Sequence, residues 1–590
     1  MENRFQLDTL DYLAFCLYFL CLSLIGYLYG KKKKENSSDY FLAGKSLPWY
    51  VVGSSYIAAN ISTEHFIGLI GAAVIYGICV ATGEWSTLIA FAFLIWLFIP
   101  FLLSSNVLTA PEFLEKRFNS QLRLIFSVMS ILANIFAFMG PVIYGGSLIL
   151  SEFFGFNGIL ACVIIGITTG IWAIWGGLRS VAFMDMLTIV IMIIGGLSVT
   201  FLGLLHLGQG QGIVEGFQEM VRVNLGQKPW AARWISEQVP NILKGAESGA
   251  AYNRLSVLQP LTHYSNPWTH WVFSFFYIGL WYTVINQTMI QKVFAAKDMY
   301  HARAGIVLAG FYKLILPVVV VIPGLIYFAM RPEFLGSGDW ALMSDEVNKT
   351  YILMINELVP SFLKGILLAA LFGAIQSTVS AVLNSTSTLF TMDIYRVYWV
   401  KDEQESHYVR TGRVSGSLIL GISILFAIVL ATATQVNLFI LIQALYTFIA
   451  PPFSAIFLLG VLWKRVKGKD ALVTVIGGFA MAGFLKFLEF GPLAEVDSDF
   501  ANIIKPFANQ ALITWIFSML ICCVFALVTG TNKSLKDEAL SFSIRSDTLK
   551  EGLGNRWYNK IALWWSLSIG LLLFIIWLFS SYFQSSTITL

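Results

Sequence analysis

Charged side chains are scarce in this chain of 590 residues: Asp, Glu, Lys and Arg make up only 12% of it, about half the share in soluble globular proteins. Histidine and cysteine are also rare, with six of each. No cysteine pair has zinc-type spacing, and the sequence contains no HExxH, GxSxG or P-loop motif. The net charge of +4 is too small to indicate nucleic acid as a partner. Without a nucleophile–base pair or a metal-ligand set, the sequence does not predict an enzyme.

Hydrophobic residues, in contrast, make up 57% of the chain, more than a soluble protein can hide from water. A membrane-spanning helix needs about 20 predominantly apolar residues. The sequence therefore predicts an all-α integral membrane protein with about fourteen transmembrane helices. They lie near residues 9–29, 48–74, 80–104, 122–152, 157–176, 181–206, 268–290, 302–329, 360–394, 410–432, 436–462, 471–490, 509–530 and 560–583.

Basic residues are distributed unevenly between the predicted loops. Lys31–Lys34 follow the first predicted span, and the later inner loops hold most other Lys and Arg residues, whereas the outer loops near 75–79, 153–156, 433–435 and 491–508 hold almost none, with Lys505 as the exception. Short cytoplasmic loops are rich in Lys and Arg. We therefore expect a multi-pass protein of the cell membrane with both termini outside. No basic region precedes the first span, so we expect it to be retained rather than cleaved.

Ionisable residues are few at bilayer depth in the predicted spans, and five of them stand out. Such residues are costly at bilayer depth and are functional candidates by default. The alternative is that they only pair with one another and hold helices together, for example Asp185 with Arg179. The five are Glu64, His65, Glu84, Asp185 and Lys313.

The second and ninth predicted spans carry polar residues that favour a cation site. Ser, Asn and Thr around Asn60 compete for backbone hydrogen bonds and favour local unwinding, and transporters coordinate sodium with carbonyls freed in this way. In the ninth span, Ala374, Ser377 and Thr378 share one helical face, which Ser380 continues. The alternatives are a kinked structural helix and hydroxyls bonded to their own backbone.

Aromatic and amide side chains in two other spans suit a solute pocket. Tyr282 lies in the seventh span, and an aromatic body with a polar tip suits the wall of a sugar site. Gln443 lies in the middle of the eleventh span. The alternatives are an interfacial aromatic belt for Tyr282 and a helix–helix hydrogen bond for Gln443.

Several long motifs resemble the sodium/solute symporter family, in particular its sodium/sugar cotransporters and most of all the bacterial sodium/galactose type. They occur in the family's order, from about residue 39 to residue 465. The motifs are DYFLAGKSLPWYVVGSSYIAANISTEHFIG (Asp39–Gly68), TAPEFLEKRF (Thr109–Phe118), WGGLRSVAFMD (Trp175–Asp185), LNSTSTLFTMDIY (Leu383–Tyr395) and FLLGVLWKR (Phe457–Arg465).

The resemblance implies a leucine-transporter-like fold with a core of two inverted repeats of five helices, each starting with a broken helix. Its segments here are a leading helix (1–35), repeat one (36–206, spans 2–6), an extracellular loop (207–267), repeat two (268–465, spans 7–11) and C-terminal helices (466–590, spans 12–14).

The resemblance also implies a sodium site formed by the carbonyls of Ala58, Ile61 and Ala374 and the hydroxyls of Ser377 and Thr378. Asp185 and Ser380 match either a second sodium site or the exit path of the ion. The next position of that second site is Ala381, which has no hydroxyl, so the number of sodium ions per cycle stays open.

For the solute, the resemblance implies a sugar site with gates above and below it. The implied outer gate is Leu69 with Phe439, and the inner gate is Tyr282. Four positions depart from the family's pattern, namely Gly83, Phe138, Gly279 and Thr283, so the particular sugar stays open. The implied sugar ligands are His65, Glu84, Thr87, Tyr282, Lys313 and Gln443.

From the resemblance we expect a sodium-coupled symporter that imports a sugar or sugar-like polyol, galactose or glucose in type, by alternating access. The expected partners are sodium as the co-transported ion, a sugar-like solute and the lipid bilayer, with no obligatory protein partner and no nucleic acid. The alternatives are symport of a carboxylate, amino acid or amino sugar, and a transporter-like sensor or channel. A sensor would usually add a large cytoplasmic domain, which the sequence does not contain.

Overall fold

The structure of the protein is a computed structural model that describes residues 7–31, 36–62, 64–105, 107–331, 347–433, 438–529 and 549–582. Within these ranges the chain forms helices and no β-strand. Eleven helical stretches among the described residues are long and apolar enough to cross a membrane. The expectation of an all-helical, multi-pass membrane protein is therefore confirmed, while the count of fourteen spans stays a prediction.

The first half of the described chain contains twelve α-helices, interrupted by short π-helical and 3₁₀ turns. These helices are α1 (Thr9–Gly30), α2 (Ser37–Phe41), α3 (Trp49–Ala58), α4 (Ile70–Tyr76), α5 (Thr82–Phe93), α6 (Ile99–Ser104), α7 (Ala110–Arg117), α8 (Ser120–Ala133), α9 (Gly140–Phe154), α10 (Gly158–Leu207), α11 (Ile213–Asn224) and α12 (Pro229–Ile242).

The second half begins with the short helices that replace a single seventh span and ends with long apolar ones. Its helices are α13 (Trp268–Ser274), α14 (Gln287–Phe294), α15 (Met299–Val320), α16 (Ile322–Met330), α17 (Thr350–Leu358), α18 (Leu363–Thr388), α19 (Glu405–Ala433), α20 (Leu438–Leu462), α21 (Gly468–Phe490), α22 (Asp499–Ile504), α23 (Phe507–Val528) and α24 (Ile561–Trp577).

The predicted second span is broken near its middle. Helix α3 ends at Ala58, and the chain resumes as a π-helical turn over Glu64–Leu69 before α4. The interval contains Asn60 and Ser62, whose side chains compete with the backbone for hydrogen bonds. A break at this depth survives only where it is buried in protein or lines a cavity, and Asn60 and Ile61 are both buried.

The predicted seventh span is broken as well. Two π-helical turns, Phe275–Gly279 and Trp281–Ile285, lead to Asn286, whose backbone is extended at φ −63° and ψ 119°. The Asn286 side chain then accepts a hydrogen bond from the Thr288 N–H at 2.9 Å and caps α14. The two breaks lie at the two positions that the family resemblance predicts.

Helix α10 comprises the predicted fifth and sixth spans, joined at a kink. Gly177 lies at the kink with φ +65°, a conformation that favours glycine. A Cβ atom there would lie 2.8 Å from the Tyr40 carbonyl oxygen. After the kink, α10 packs against α3 and α18, and α18 is buried along nearly its whole length at the centre of the bundle. This packing brings Asp185 of α10 to Ser377 of α18.

The long loop after α10 is attached to α4, the second half of the broken span. Arg254 is fully buried and donates hydrogen bonds to the carbonyl oxygens of Val74 at 2.9 Å and Ile75 at 2.7 Å. These carbonyls belong to the last turn of α4, which has no partners for them within the helix. The guanidinium also lies 3.6 Å from the centroid of the Phe328 ring.

Candidate functional site

A continuous chain of polar contacts crosses the centre of the bundle. The Asn60 amide donates to the Tyr282 hydroxyl and accepts from Lys313 Nζ. Lys313 Nζ also lies 2.6 Å from Glu84 Oε2. The other oxygen of Glu84 lies 3.2 Å from His65 Nε2. Four predicted solute ligands, from four separate helical elements, are therefore brought together, with Asn60 of the helix break as their link.

The same residues line a cavity of about 90 Å³. One water needs roughly 10–15 Å³ by this measure, so the cavity has room for a small polar solute. Charged, polar and aromatic groups together line it, as in sites for amphipathic solutes such as sugars. The lining includes Asn60, Glu64, His65, Glu84, Tyr282, Lys313 and Tyr446.

The charges in this cavity are almost completely buried. The Lys313 and Glu84 side chains are exposed by only 4% and 10%. A buried ion pair needs further hydrogen bonds to offset its desolvation, and Asn60 and His65 supply them. The Ser62 N–H donates to His65 Nδ1 at 3.3 Å, which assigns the ring proton to Nε2 and makes neutral His65 a donor to Glu84.

Of the remaining predicted solute and gate residues, two line the cavity and two have side chains that the structure does not describe. Leu69 and Thr87 both line the cavity, and the Thr87 hydroxyl donates to the Gly83 carbonyl oxygen at 2.7 Å. Because that bond uses the hydroxyl proton, Thr87 offers a solute its lone pairs. The side chains of Gln443 and Phe439, both on α20, lie outside the described residues.

The positions that depart from the family's pattern change the shape of the cavity. Gly83 and Gly279 both line it, and a Cβ atom on Gly83 would meet nothing within 4 Å. Phe138 does not line the cavity. It is buried and stacks on Tyr282, with ring centroids 6.1 Å apart. The glycines therefore enlarge the cavity. The Phe138 ring packs against Tyr282, the predicted inner gate.

Helix α18 meets the break in the second span at the predicted sodium site. The Thr378 hydroxyl lies 3.1 Å from the Ile61 carbonyl oxygen and 3.3 Å from that of Ala59. Ala58 and Ala374 are fully buried. Carbonyl and hydroxyl oxygens are the ligands that hard cations prefer, so this junction has the right chemistry for sodium.

Ser377 lies on the side of α18 that Asp185 approaches. The two residues line a cavity of about 10 Å³ together with Ser380, and Ser377 Oγ is buried without a hydrogen-bond partner of ordinary geometry among the described residues. Ser55 Oγ donates to Asp185 Oδ2 at 2.5 Å. The Ser380 hydroxyl instead donates to the Thr169 carbonyl oxygen at 2.9 Å.

Sequence reasoning missed several residues of the cavity. Tyr446 lines it with a buried hydroxyl that has no partner among the described residues, and it lies one helical turn after Gln443. Ser274 donates to Ser86 at 3.0 Å in the cavity wall. The intramembrane carboxylate of Glu64 was noted but not assigned to the solute site, and it makes no ion pair or side-chain hydrogen bond with a described residue.

Comparison with known proteins agrees with this architecture. The model of the sodium:solute symporter family matches residues 40–478. A sodium/glucose cotransporter of Vibrio parahaemolyticus is 33% identical over 536 residues, covering 89% of this chain and 92% of that protein. A sodium/myo-inositol cotransporter of Homo sapiens is 28% identical over 543 residues, covering 89% and 74%. The solved structure of a sodium-coupled sialic acid symporter, substrate-bound and outward-open, matches in fold with a TM-score of 0.71 at 19% identity, covering 89% of this chain and 99% of that one.

Proposed function

Because the chain belongs to the sodium:solute symporter family, we propose that it is a sodium-coupled symporter that imports a sugar or sugar-like polyol, of glucose, galactose or inositol type, by alternating access. It is a transporter rather than an enzyme, and sodium is its co-transported ion. The similarity to proteins named as sodium/glucose and sodium/myo-inositol cotransporters supports a polyhydroxylated solute. The observation that carries the proposal is the buried chain of contacts from Tyr282 through Asn60, Lys313 and Glu84 to His65.

In the proposed solute site each group has a chemical role. Glu84 accepts from hydroxyl groups of the sugar, and Lys313 donates to them. His65 and Thr87 complete the polar side, and the Tyr282 ring covers the apolar face of the pyranose. Gln443 is proposed as a further ligand, and Leu69 with Phe439 as the outer gate.

The proposed sodium site is formed by the carbonyls of Ala58, Ile61 and Ala374 with the hydroxyls of Ser377 and Thr378. The contact between Thr378 and the freed Ile61 carbonyl supports it. Asp185 and Ser380 are proposed to line the exit path of the ion, because Ser380 is already bonded to the Thr169 carbonyl.

Coupling follows from the position of the break. The interval between α3 and α4 supplies carbonyls to the sodium site and Asn60 to the solute site. Binding of sodium therefore orders residues that bind the sugar, and binding of the sugar orders residues that bind sodium. Each ligand raises the affinity of the other by the same factor. Inward movement of one sodium ion contributes about 2.3 kcal/mol per 100 mV of membrane potential.

We further propose the topology that this mechanism uses. The two broken spans each begin a repeat of five helices, over residues 36–206 and 268–465, within a bundle of fourteen spans. The Lys- and Arg-rich loops lie in the cytoplasm and both termini outside.

The sodium assignment is tested with the double variant Ser377→Ala/Thr378→Val. In proteoliposomes, uptake of labelled sugar by this variant should lose its dependence on a sodium gradient. The matched control is Ser417→Ala/Thr432→Val on α19, where both hydroxyls are exposed and bond only to their own helix. Sodium activation that is the same in the double variant and in the unmodified chain contradicts the site.

A second candidate solute is an amino sugar. The unpaired Glu64 carboxylate lines the cavity, whereas the charge of Glu84 is neutralised by Lys313. A protonated amine on the solute would give the Glu64 carboxyl group the ion-pair partner that it lacks among the described residues, which favours an amino sugar. Competition of glucosamine against glucose for uptake distinguishes the two candidates.

A further inference from the structure

An apolar groove lies on the outside of the bundle, away from the solute cavity. Its volume is about 320 Å³, and it lies where α3, α15 and α24 all begin. Aromatic and aliphatic side chains line it, among them Trp49, Tyr300, Val307, Phe311, Tyr558 and Trp564.

The groove faces the surroundings of the protein rather than its interior. Trp49 is 39% exposed and Trp564 is 40% exposed. In a membrane an apolar surface of this kind meets lipid, and Trp and Tyr at the ends of spans lie at the depth of the headgroups. The groove therefore extends from headgroup depth into the hydrocarbon layer.

The mouth of the groove is basic. Arg556 and Lys560 are exposed; Arg556 lies two residues before the lining residue Tyr558, and Lys560 directly follows the lining residue Asn559. Neither has an ion pair with a described residue, although Arg556 donates to the Tyr558 hydroxyl at 2.7 Å. The Trp564 indole N–H donates to the Tyr558 carbonyl oxygen at 2.8 Å, which ties the wall of the groove to its basic mouth.

We propose that this groove is a binding site for one anionic phospholipid, whose acyl chain fills the apolar groove while its phosphate lies between Arg556 and Lys560. Two unpaired cations at an opening that faces lipid select an anionic over a zwitterionic headgroup. The occupant would contact α3 and α15, and these helices also carry the break and Lys313. The lipid therefore supports the two helices that present the solute site.

The proposal is tested on the full chain purified in detergent, by native mass spectrometry after titration with phosphatidylglycerol or phosphatidylcholine. The unmodified chain should retain one phosphatidylglycerol in preference to phosphatidylcholine. Arg556→Gln and Lys560→Gln should each reduce this preference about fivefold, and Ala304→Trp, which fills the groove, should abolish retention of that lipid. The matched controls are Lys401→Gln for the charge and Leu571→Trp for the added bulk on the lipid-facing side of α24.

Equal retention of the two lipids by the unmodified chain overturns the proposal, as does an unchanged preference in the two Gln variants. These variants alter only exposed side chains, so their result does not depend on whether Ala304→Trp folds. Displacement of the lipid by soluble glycerol phosphate would show that the phosphate alone is recognised, and it would also overturn the acyl-chain site.

Discussion

Removing the ammonium of Lys313 tests the solute site most directly. Lys313→Met leaves Glu84 buried beside only a neutral imidazole, since the Lys313 Nζ–Glu84 Oε2 contact of 2.6 Å is the ion pair at this site. Breaking a buried ion pair on one side costs about 3–5 kcal/mol. A hydrogen bond to a charged group contributes about 1.5–3 kcal/mol, so loss of one bond to the sugar reduces affinity about 10- to 150-fold.

The double variant Lys313→Met/Glu84→Gln separates stability from transport. It removes both charges, so its melting temperature in detergent should return toward that of the unmodified chain, while uptake stays lost. Arg233→Met, which removes an exposed i, i+4 pair with Glu237, is the control and should leave melting and uptake unchanged. A single Lys313→Met variant that melts and transports like the unmodified chain would refute both the ion pair and its role in solute binding.

Two further predictions concern other buried groups. Glu64→Gln should raise the ratio of glucose uptake to glucosamine uptake in proteoliposomes, because it removes the carboxyl group that would pair with the amine of glucosamine; an unchanged ratio would exclude Glu64 from solute selection. Burial in the long loop after α10 lowers the pKa of His263 from 6.5 to about 3, so below pH 6.5 the unfolded state binds a proton that the folded state does not. The stability that neutral His263 contributes is complete above pH 6.5 and falls toward pH 3 by up to about 1.4 kcal/mol per pH unit. His263→Gln should flatten this dependence in thermal melts, whereas substitution of the exposed His206 should not.

The sequence predicts the helices well, because apolar runs and their ends depend on local composition. The break in the second span is also foreseeable, since Asn60 and Ser62 compete for backbone hydrogen bonds wherever they lie. The kink at Gly177 is harder to predict from the sequence. A glycine pair indicates a flexible point in the chain, but the contact between Gly177, at its positive φ, and the Tyr40 carbonyl is tertiary.

The site is only partly predictable, because its polar groups depend on partners far apart in the chain. Lys313 and Glu84 were each identified as intramembrane charges, but the amide of Asn60 that links Lys313 to Tyr282 depends on how α3, α15 and the seventh span pack. Phe138 shows the same limit. From the sequence it is only a departure from the family's pattern, whereas in three dimensions its ring stacks on Tyr282.

The attachment of Arg254 to the last turn of α4 makes the long loop after α10 a reporter of the broken span. Since the guanidinium contacts the Val74 and Ile75 carbonyls directly, α4 cannot tilt during the transport cycle without moving the segment that carries Arg254 or breaking these bonds. A spin label or fluorophore on the exposed side of that loop, paired with one on the C-terminal helices, would therefore record the motion of a buried helix from outside the membrane, without a probe in the permeation path.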